Sequence, residues 1–528
     1  NQILIPAFKK DVVFPDDLIK KLNGISLIEH AITLAVNIVD QSKVIIMTDS
    51  EEIKWIAQQN SIQVWFDASL SLKYKDIMGF LKDYQSKINI VQNLIVLWPY
   101  TPLLNSLDIK QAIVNLKKDV VVSAKKEQIE ILKRSGDLQI KTKMISKTQL
   151  QIIKGFMIVP KAALSSKRIK FKEYVLSKQS AVEIQSIHDW WVCENALQRK
   201  KIVFYVIGNH TVGLGHVYRS LSLARELNDH DIEFVCEKES LLAFQMIKES
   251  GYPVYISKET QGINQILELT PDIVIHDCLN TTSPMINKLK DKGIKTVNFE
   301  DLGDGAALAD ITINELYDQE QNKSKNTCWG HKYFFLRDEF DHINPNTFRD
   351  KIKALLITFG GTDPKNYTEN ILDACVPLCQ ENRINIYIIT GMGYKYSDQL
   401  NKKINKISEI DVQCHNQVGV MAEMMSKCDI AISSNGRTPY ELAYMNIPSI
   451  ILSQHNREKT HVFTNEENGF INIGQLDRNS IDATVSKHLK TLIESKKLRK
   501  TLYDAMSKHS FKKSKERVVS LIKKLIDE

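Results

Sequence analysis

The chain has 528 residues, more than a single hydrophobic core organises, and the length fits about three domains. At 43% hydrophobic and 25% charged it has the composition of a globular protein, which excludes wholesale disorder. The formal net charge of +7 is modest, and much of it sits in the lysine-rich stretch 486–528, where stacking aromatics are nearly absent. That stretch reads as helices with solvated outer faces, so nucleic acid is not an expected partner. No apolar run approaches a membrane span and no signal peptide is visible, so a cytoplasmic location is expected. The eight cysteines, at 193, 236, 278, 328, 375, 379, 414 and 428, form no C-x-x-C pair. Reduced thiols and no zinc are expected.

Residues 1–198 alternate strands with helices. NQILIPAF is a strand, LIEHAITLAVNI a helix, KVIIMTDS a strand ending in a loop, and NLIVLWPYTPLL another. This β-α-β-α order argues for a mostly parallel sheet with helices on both faces and ligands at the carboxyl ends of its strands. Asp49 and Asp108 read as loop and helix-start residues.

LQRKK at 197–201 is a polar junction, after which a new α/β region opens with KIVFYVIGNHTVGLGHVYRSLSLARELN. Lys201 to Ile207 is a β-branched and aromatic run, the mark of a buried strand. Gly208, Gly213 and Gly215 follow, then a helix with Leu221, Leu223, Ala224 and Leu227 on its apolar side. Such a turn offers backbone N–H groups to a phosphate, and His216 stands at its helix start. A plain tight turn with an ordinary histidine is the competing reading, since Tyr218 occupies the third-glycine position of a dinucleotide fingerprint. Strands are expected at EFVCE, PVYIS, DIVIHD and KTVNFED, completing a lobe over 199–345. KALLITFGG, INIYIIT, DIAISS and PSIILS restart the pattern over 346–528. Two Rossmann-like halves in series suggest an α/β fold of glycosyltransferase-B type, with substrate in the crevice between lobes. Two more turns suit a diphosphate: Gly360, Gly361 and Thr362 after one strand, and Ser433, Ser434, Asn435 and Gly436 after another, with Glu441 in the next helix. Each alone is equally a simple strand-to-helix connection.

The order IPA…P…L-x-G-x-x-LI, TDSEEI, WPYTPL and AVEIQSIHDWWVCENAL resembles the sugar-acid cytidylyltransferases that make CMP-sialic acid and its relatives. The resemblance implies a CTP phosphate loop bearing arginine, glycines and lysine. Here Phe8 replaces the arginine, Lys9 and Lys10 the glycines, and Val12 and Ile25 two lysines. Glu183 and Gln185 stand where the family places an Asp-x-Asp pair for magnesium. Lost glycines block close backbone approach, lost cations remove stabilisation of the leaving pyrophosphate, and a neutral Gln185 weakens a magnesium site. Lys9, Lys10 and Lys20 compensate in part at most. The domain is expected to be a degenerate scaffold or partner surface, with magnesium needed only if it were active.

GLGHVYRSLSLA, DIVIHDCLN, NFEDLGD, GHKYFFLRDEF, TFGGTDPKN, DIAISSNGRTPYELAYMNIPSIIL and HNRE together are similar to the PseG/SpsG group. These are UDP-sugar hydrolases of pseudaminic acid synthesis and their spore-coat relatives, with wider kinship to glycosyltransferases related to MurG. The resemblance implies that His216 activates water at the anomeric carbon and displaces UDP without a metal. It implies that Gly213 and Gly215 make room for the sugar diphosphate. Gly360, Gly361, Gly436 and Thr438 would hold the pyrophosphate and Glu441 the uridine ribose, with Thr362, Ser434 and Asn435 of the same turns also expected to bind substrate. Asn456 falls in the last cleft-side motif. Asp277 would orient His216 or a sugar hydroxyl, or simply cap its strand. Cys278 and Leu279 depart from the His-Tyr often found there.

The expectation is a fusion protein of nonulosonic-acid or surface-polysaccharide synthesis. It would take a UDP-linked sugar, suit association with other enzymes of that route, and leave open whether it forms a homo-oligomer. Two rivals stand beside it: an inverting glycosyltransferase on the same fold, and a non-catalytic sugar-nucleotide binder.

Overall fold

The computed structural model describes all residues except 10–12, 15, 69–91, 134–142, 165–168, 259–261, 319–323 and 528. Lys10 and Val12 lie outside the described residues. The chain forms two compact units, Asn1–Arg199 and Lys200–Glu528.

The first unit is built on a seven-stranded sheet: β1 Gln2–Ala7, β2 Val44–Thr48, β3 Gln63–Phe66, β4 Asn93–Leu97, β5 Val120–Lys133, β6 Lys143–Pro160 and β7 Phe171–Val175, in the order β3-β2-β1-β4-β6-β5-β7. β3, β2, β1 and β4 run parallel, whereas β6 is antiparallel to both β4 and β5. The long β5–β6 ribbon was not foreseen, because its lysines and glutamates mask a strand in a sequence read for apolar runs. Helix α1, Leu27–Val36, starts at Ser26, whose side chain accepts from the Glu29 amide while Glu29 accepts from the Ser26 amide, a reciprocal cap. Its buried Leu27, Ile28, Ala31, Ile32 and Ala35 enter the core on one sheet face.

The second unit holds two wholly parallel sheets. The first contains β8 Lys201–Val206, β9 Asp231–Cys236, β10 Val254–Ile256, β11 Ile273–Asp277, β12 Lys295–Phe299, β13 Ile311–Asn314 and β14 Thr327–Trp329, ordered β10-β9-β8-β11-β12-β13-β14. The second contains β15 Ala354–Thr358, β16 Asn385–Thr390, β17 Val412–Asn416, β18 Ile430–Ser434, β19 Ser449–Leu452 and β20 Phe470–Gly474, ordered β17-β16-β15-β18-β19-β20. Central strands such as β8 and β15 are buried along almost their whole length, which parallel sheets covered on both faces require. In each sheet the strand order reverses beside the first strand, so loops diverge there and leave a crevice at the carboxyl ends. The reversal falls between β8 and β11 in one lobe, with Val206 paired to Asp277, and between β15 and β18 in the other, with Thr358 paired to Ser433.

Residues 346–528 do not all stay in the second lobe. Helix Ser514–Asp527 buries Val518, Ile522, Leu525 and Ile526 in the core beneath β8 and β11, so the chain end crosses back to the first lobe. Lys523 and Lys524 face outward while its apolar stripe is the packing surface. Among the described residues no helix is long and apolar enough to cross a membrane. All eight cysteines are free, and burial pushes the Cys379 thiol up to about 12.

Candidate functional site

Both reversal points of the second unit open onto one cavity of 690 Å³ between the lobes, a size suited to a small organic ligand. From the first lobe come Gly213, Gly215 and His216, and from the second Gly360, Gly361, Thr362, Ser434, Gly436, Thr438 and Glu441. Gly213 and Gly360 have φ of 87° and 75°, a backbone region that side chains rarely enter. A Cβ on Gly391 would lie 2.4 Å from the Gly361 Cα, so the second lobe's glycine turn is packed backbone against backbone.

His216 is the second residue of the helix Gly215–Glu226, which follows β8. Its ring is nearly buried yet lies on the cavity wall. Nδ1 is 2.6 Å from Asp277 Oδ1, and among the described residues no group bonds Nε2, so the second nitrogen is available to a ligand. Asp277 is the last residue of β11 and fully buried behind the histidine. It accepts from Arg219 Nε at 2.8 Å, from Arg219 Nη2, and from Ser220 Oγ at 3.1 Å. Burial alone would raise its carboxyl, but Arg219 and His216 more than offset this and hold it below the usual carboxylate range. An ionised Asp277 fixes the Nδ1–H tautomer and leaves Nε2 as a base.

Arg219, one helical turn beyond His216, is fully buried. It also donates to Glu300 at 2.6 Å and to Glu315. Arg437, which follows Gly436 in the opposite lobe, donates to the same two carboxylates at 3.3 and 2.7 Å. Glu441 lies on the wall, but its Oε1 accepts from Arg337 Nε at 2.9 Å, and burial raises its carboxyl against the pull of that guanidinium. Lys365 and Arg457 also line the cavity and have no carboxylate partner among the described residues. Arg457 instead donates to Asn280 Oδ1 at 3.0 Å and to the Glu300 carbonyl. The wall therefore carries unneutralised positive charge.

Two expected contacts lie elsewhere. Asn435 is buried off the wall, where its amide donates to the Glu458 and His461 carbonyls and accepts from Thr464 Oγ1, tying loops together. Asn456 is exposed and off the wall. Arg219, Lys365, Arg437 and Arg457 were not singled out, although each sits inside a motif quoted for its neighbours. Cations in loops after strand ends were the available signal.

In the first unit, two described lysines around the corresponding loop have partners within the protein, while Asp49 Oδ2 is buried without one. Lys9 Nζ lies 2.8 Å from Glu52 Oε1, and the Lys9 amide donates to Asp49 Oδ1 at 2.7 Å. The Lys20 ammonium sits over the Phe14 and Trp190 rings, at 5.2 and 5.1 Å from their centroids. Glu183 accepts from the Lys154 amide, and Gln185 is neutral. The pair thus supplies one carboxylate where the resembled Asp-x-Asp pair supplies two, which weakens any hold on magnesium. The Asp108 amide is capped by Asn105, consistent with a helix-start position.

The fold defines a two-lobed α/β protein with a cavity between its lobes, preceded in sequence by a separate α/β unit. Residues 12–150 match the cytidylyltransferase family model. The chain is 30% identical over 278 residues to the uncharacterized protein MJ1062 of Methanocaldococcus jannaschii, covering 49% of this chain and 57% of that one. It is 23% identical over 311 residues to the spore coat polysaccharide biosynthesis protein SpsG of Bacillus subtilis, covering 56% of this chain and 90% of SpsG. It is 25% identical over 254 residues to a Helicobacter pylori protein described as pseudaminic acid cytidylyltransferase and UDP-2,4-diacetamido-2,4,6-trideoxy-beta-L-altropyranose hydrolase. That match covers 46% of this chain and 42% of the Helicobacter protein.

Proposed function

We propose that the second unit is a UDP-sugar hydrolase of nonulosonic-acid or surface-polysaccharide synthesis. His216 Nε2 takes a proton from water, the water oxygen bonds to the anomeric carbon, and the bond from that carbon to the diphosphate oxygen breaks. UDP leaves with the bonding electron pair. The observation that carries this reading is the His216–Asp277 pair facing, across one cavity, a glycine turn and two cations that lack carboxylate partners. A neutral imidazole backed by an ionised carboxylate is suited to general-base catalysis, and the surplus cations suit a departing diphosphate. The names of SpsG and of the Helicobacter protein support the substrate class and the route. In this reading the first unit is a scaffold without CTP chemistry.

The rival is transfer of the sugar to an acceptor hydroxyl at the same histidine. Incubating the purified chain with UDP-sugars and no acceptor separates them. Free sugar and UDP are the expected products, and turnover only with an acceptor overturns the hydrolase reading.

A further inference from the structure

His216 is held by more than Asp277. A continuous chain of buried charges runs from it across the cleft: His216 to Asp277, Asp277 to Arg219, Arg219 to Glu300 and Glu315, and these two to Arg437. Arg437 belongs to the opposite lobe and stands beside Gly436 in the turn after β18. Its guanidinium lies 4.3 Å from the Phe334 ring centroid. Its Cδ is 2.8 Å from where a Cβ on Gly215 would be, so its stem covers the backbone immediately before His216. No other residue type makes this crossing: a lysine supplies one point charge where a planar guanidinium can meet two carboxylates and stack on a ring.

We infer that Arg437 is a positioning residue through which the second lobe holds the histidine of the first lobe in its working orientation. This rests on the hydrolase reading above and names an element of the same site. Glu300 and Glu315 are almost completely buried, and both receive Nη1 of the single guanidinium of Arg219. Without Arg437, two buried carboxylates compete for that one group. Arg219 is then drawn from Asp277 towards them, and the carboxylate that fixes the imidazole loses the guanidinium that holds it in place. A nucleotide seated at the Gly436 turn would meet Arg437 already engaged, so seating the ligand and orienting the base become one event.

The charged groups facing His216 are Asp277, Arg219 and Glu300, and His461 and Arg457 lie near Glu300 on the same wall. Removing Arg437 makes this assembly one charge more negative. The test is Arg437→Ala, with Arg437→Lys and the double variant Arg437→Ala/Glu315→Gln, compared with the parent in the full chain. Misplacing a base by about an ångström costs on the order of 100-fold. We expect Arg437→Ala to lower kcat by that order, to leave UDP affinity within about threefold (under 1 kcal/mol), and to move the acidic limb of kcat/KM to higher pH. Glu315→Gln restores charge balance, so the double variant recovers activity and the parental limb, and the lysine recovers part.

Loss of UDP affinity with kcat preserved would make Arg437 a phosphate ligand and overturn the inference. Unchanged kcat in Arg437→Ala, or no recovery in the double variant, overturns it too. Nitrogen-15 imidazole spectra of His216 provide a readout independent of turnover: a change in Arg437→Ala that reverses in the double variant supports the coupling, and an unchanged spectrum contradicts it. If the parent hydrolyses no UDP-sugar while the spectra respond as expected, the hydrolase reading fails and the coupling stands.

Discussion

The two units of this chain place loops at the same kind of position, the carboxyl end of the first strand of an α/β sheet, and use them in opposite ways. In the first unit Lys9 is paired with Glu52, Asp49 accepts a backbone amide, and Lys20 lies on two aromatic rings. In the second unit the His216 ring keeps one nitrogen free, and Lys365 and Arg457 keep their charges unmatched by carboxylates. Shared topology therefore does not decide which loop binds. What separates them is whether polar groups are consumed by the protein or left for a ligand. Satisfied charges add structure, and unsatisfied ones near a cavity await a counter-charge.

The contrast breaks most readily at the histidine. His216→Ala should reduce hydrolysis by about 10²- to 10⁴-fold, the usual contribution of a general base, with UDP affinity retained in equilibrium dialysis. Unchanged turnover would place the chemistry elsewhere. A smaller effect is expected at the unmatched cations. Lys365→Ala and Arg457→Ala should each weaken UDP binding by about tenfold, or roughly 1.4 kcal/mol, and the loss should shrink at high salt. The same dialysis with CTP and magnesium should show no uptake by the first unit. CTP uptake abolished by Lys9→Ala would mean that loop is not self-satisfied.

A separate effect, on stability rather than on binding or turnover, concerns Glu458, a buried carboxyl on the cavity wall whose Oε2 accepts from the Gln454 amide at 2.6 Å. Burial and the nearby Asp363, against the Gln454 hydrogen bond, raise it from 4.5 to about 7. The folded protein thus holds this proton more tightly than the unfolded chain. Its contribution is full below pH 4.5 and is lost as pH rises through about 7, amounting to about 3 kcal/mol. Glu458→Gln should flatten the fall in stability over that window and raise the unfolding midpoint at pH 8. An unchanged slope in urea titrations would show that the carboxyl is not the group responsible.

Much of the second unit was legible because parallel strands buried on both faces are nearly continuous apolar runs, as in KIVFYV and DIVIHD. Their glycine-marked carboxyl ends locate the crevice. Asp277 as the group orienting His216 was one of three readings open for it, beside a sugar-hydroxyl contact and a strand-end cap, whereas Arg219, Glu315 and Arg437 had no such signal, because a buried ion network has no local pattern. It exists only when strands distant in sequence are brought side by side. Asn435 shows the opposite failure: it sits in the right turn, but its side chain points into the loop packing. The β5–β6 ribbon went unread because the polar residues from Lys125 to Gln151 interrupt its apolar ones, and the last helix was misplaced because an amphipathic stripe does not say which core receives it.

The most direct trial of the account is hydrolysis of a UDP-sugar in oxygen-18 water without an acceptor, followed by mass spectrometry of the UDP released. Attack at the anomeric carbon by a water held at His216 predicts UDP free of label. Label in the UDP would mean attack at phosphorus, and no UDP release at all would overturn the hydrolase reading.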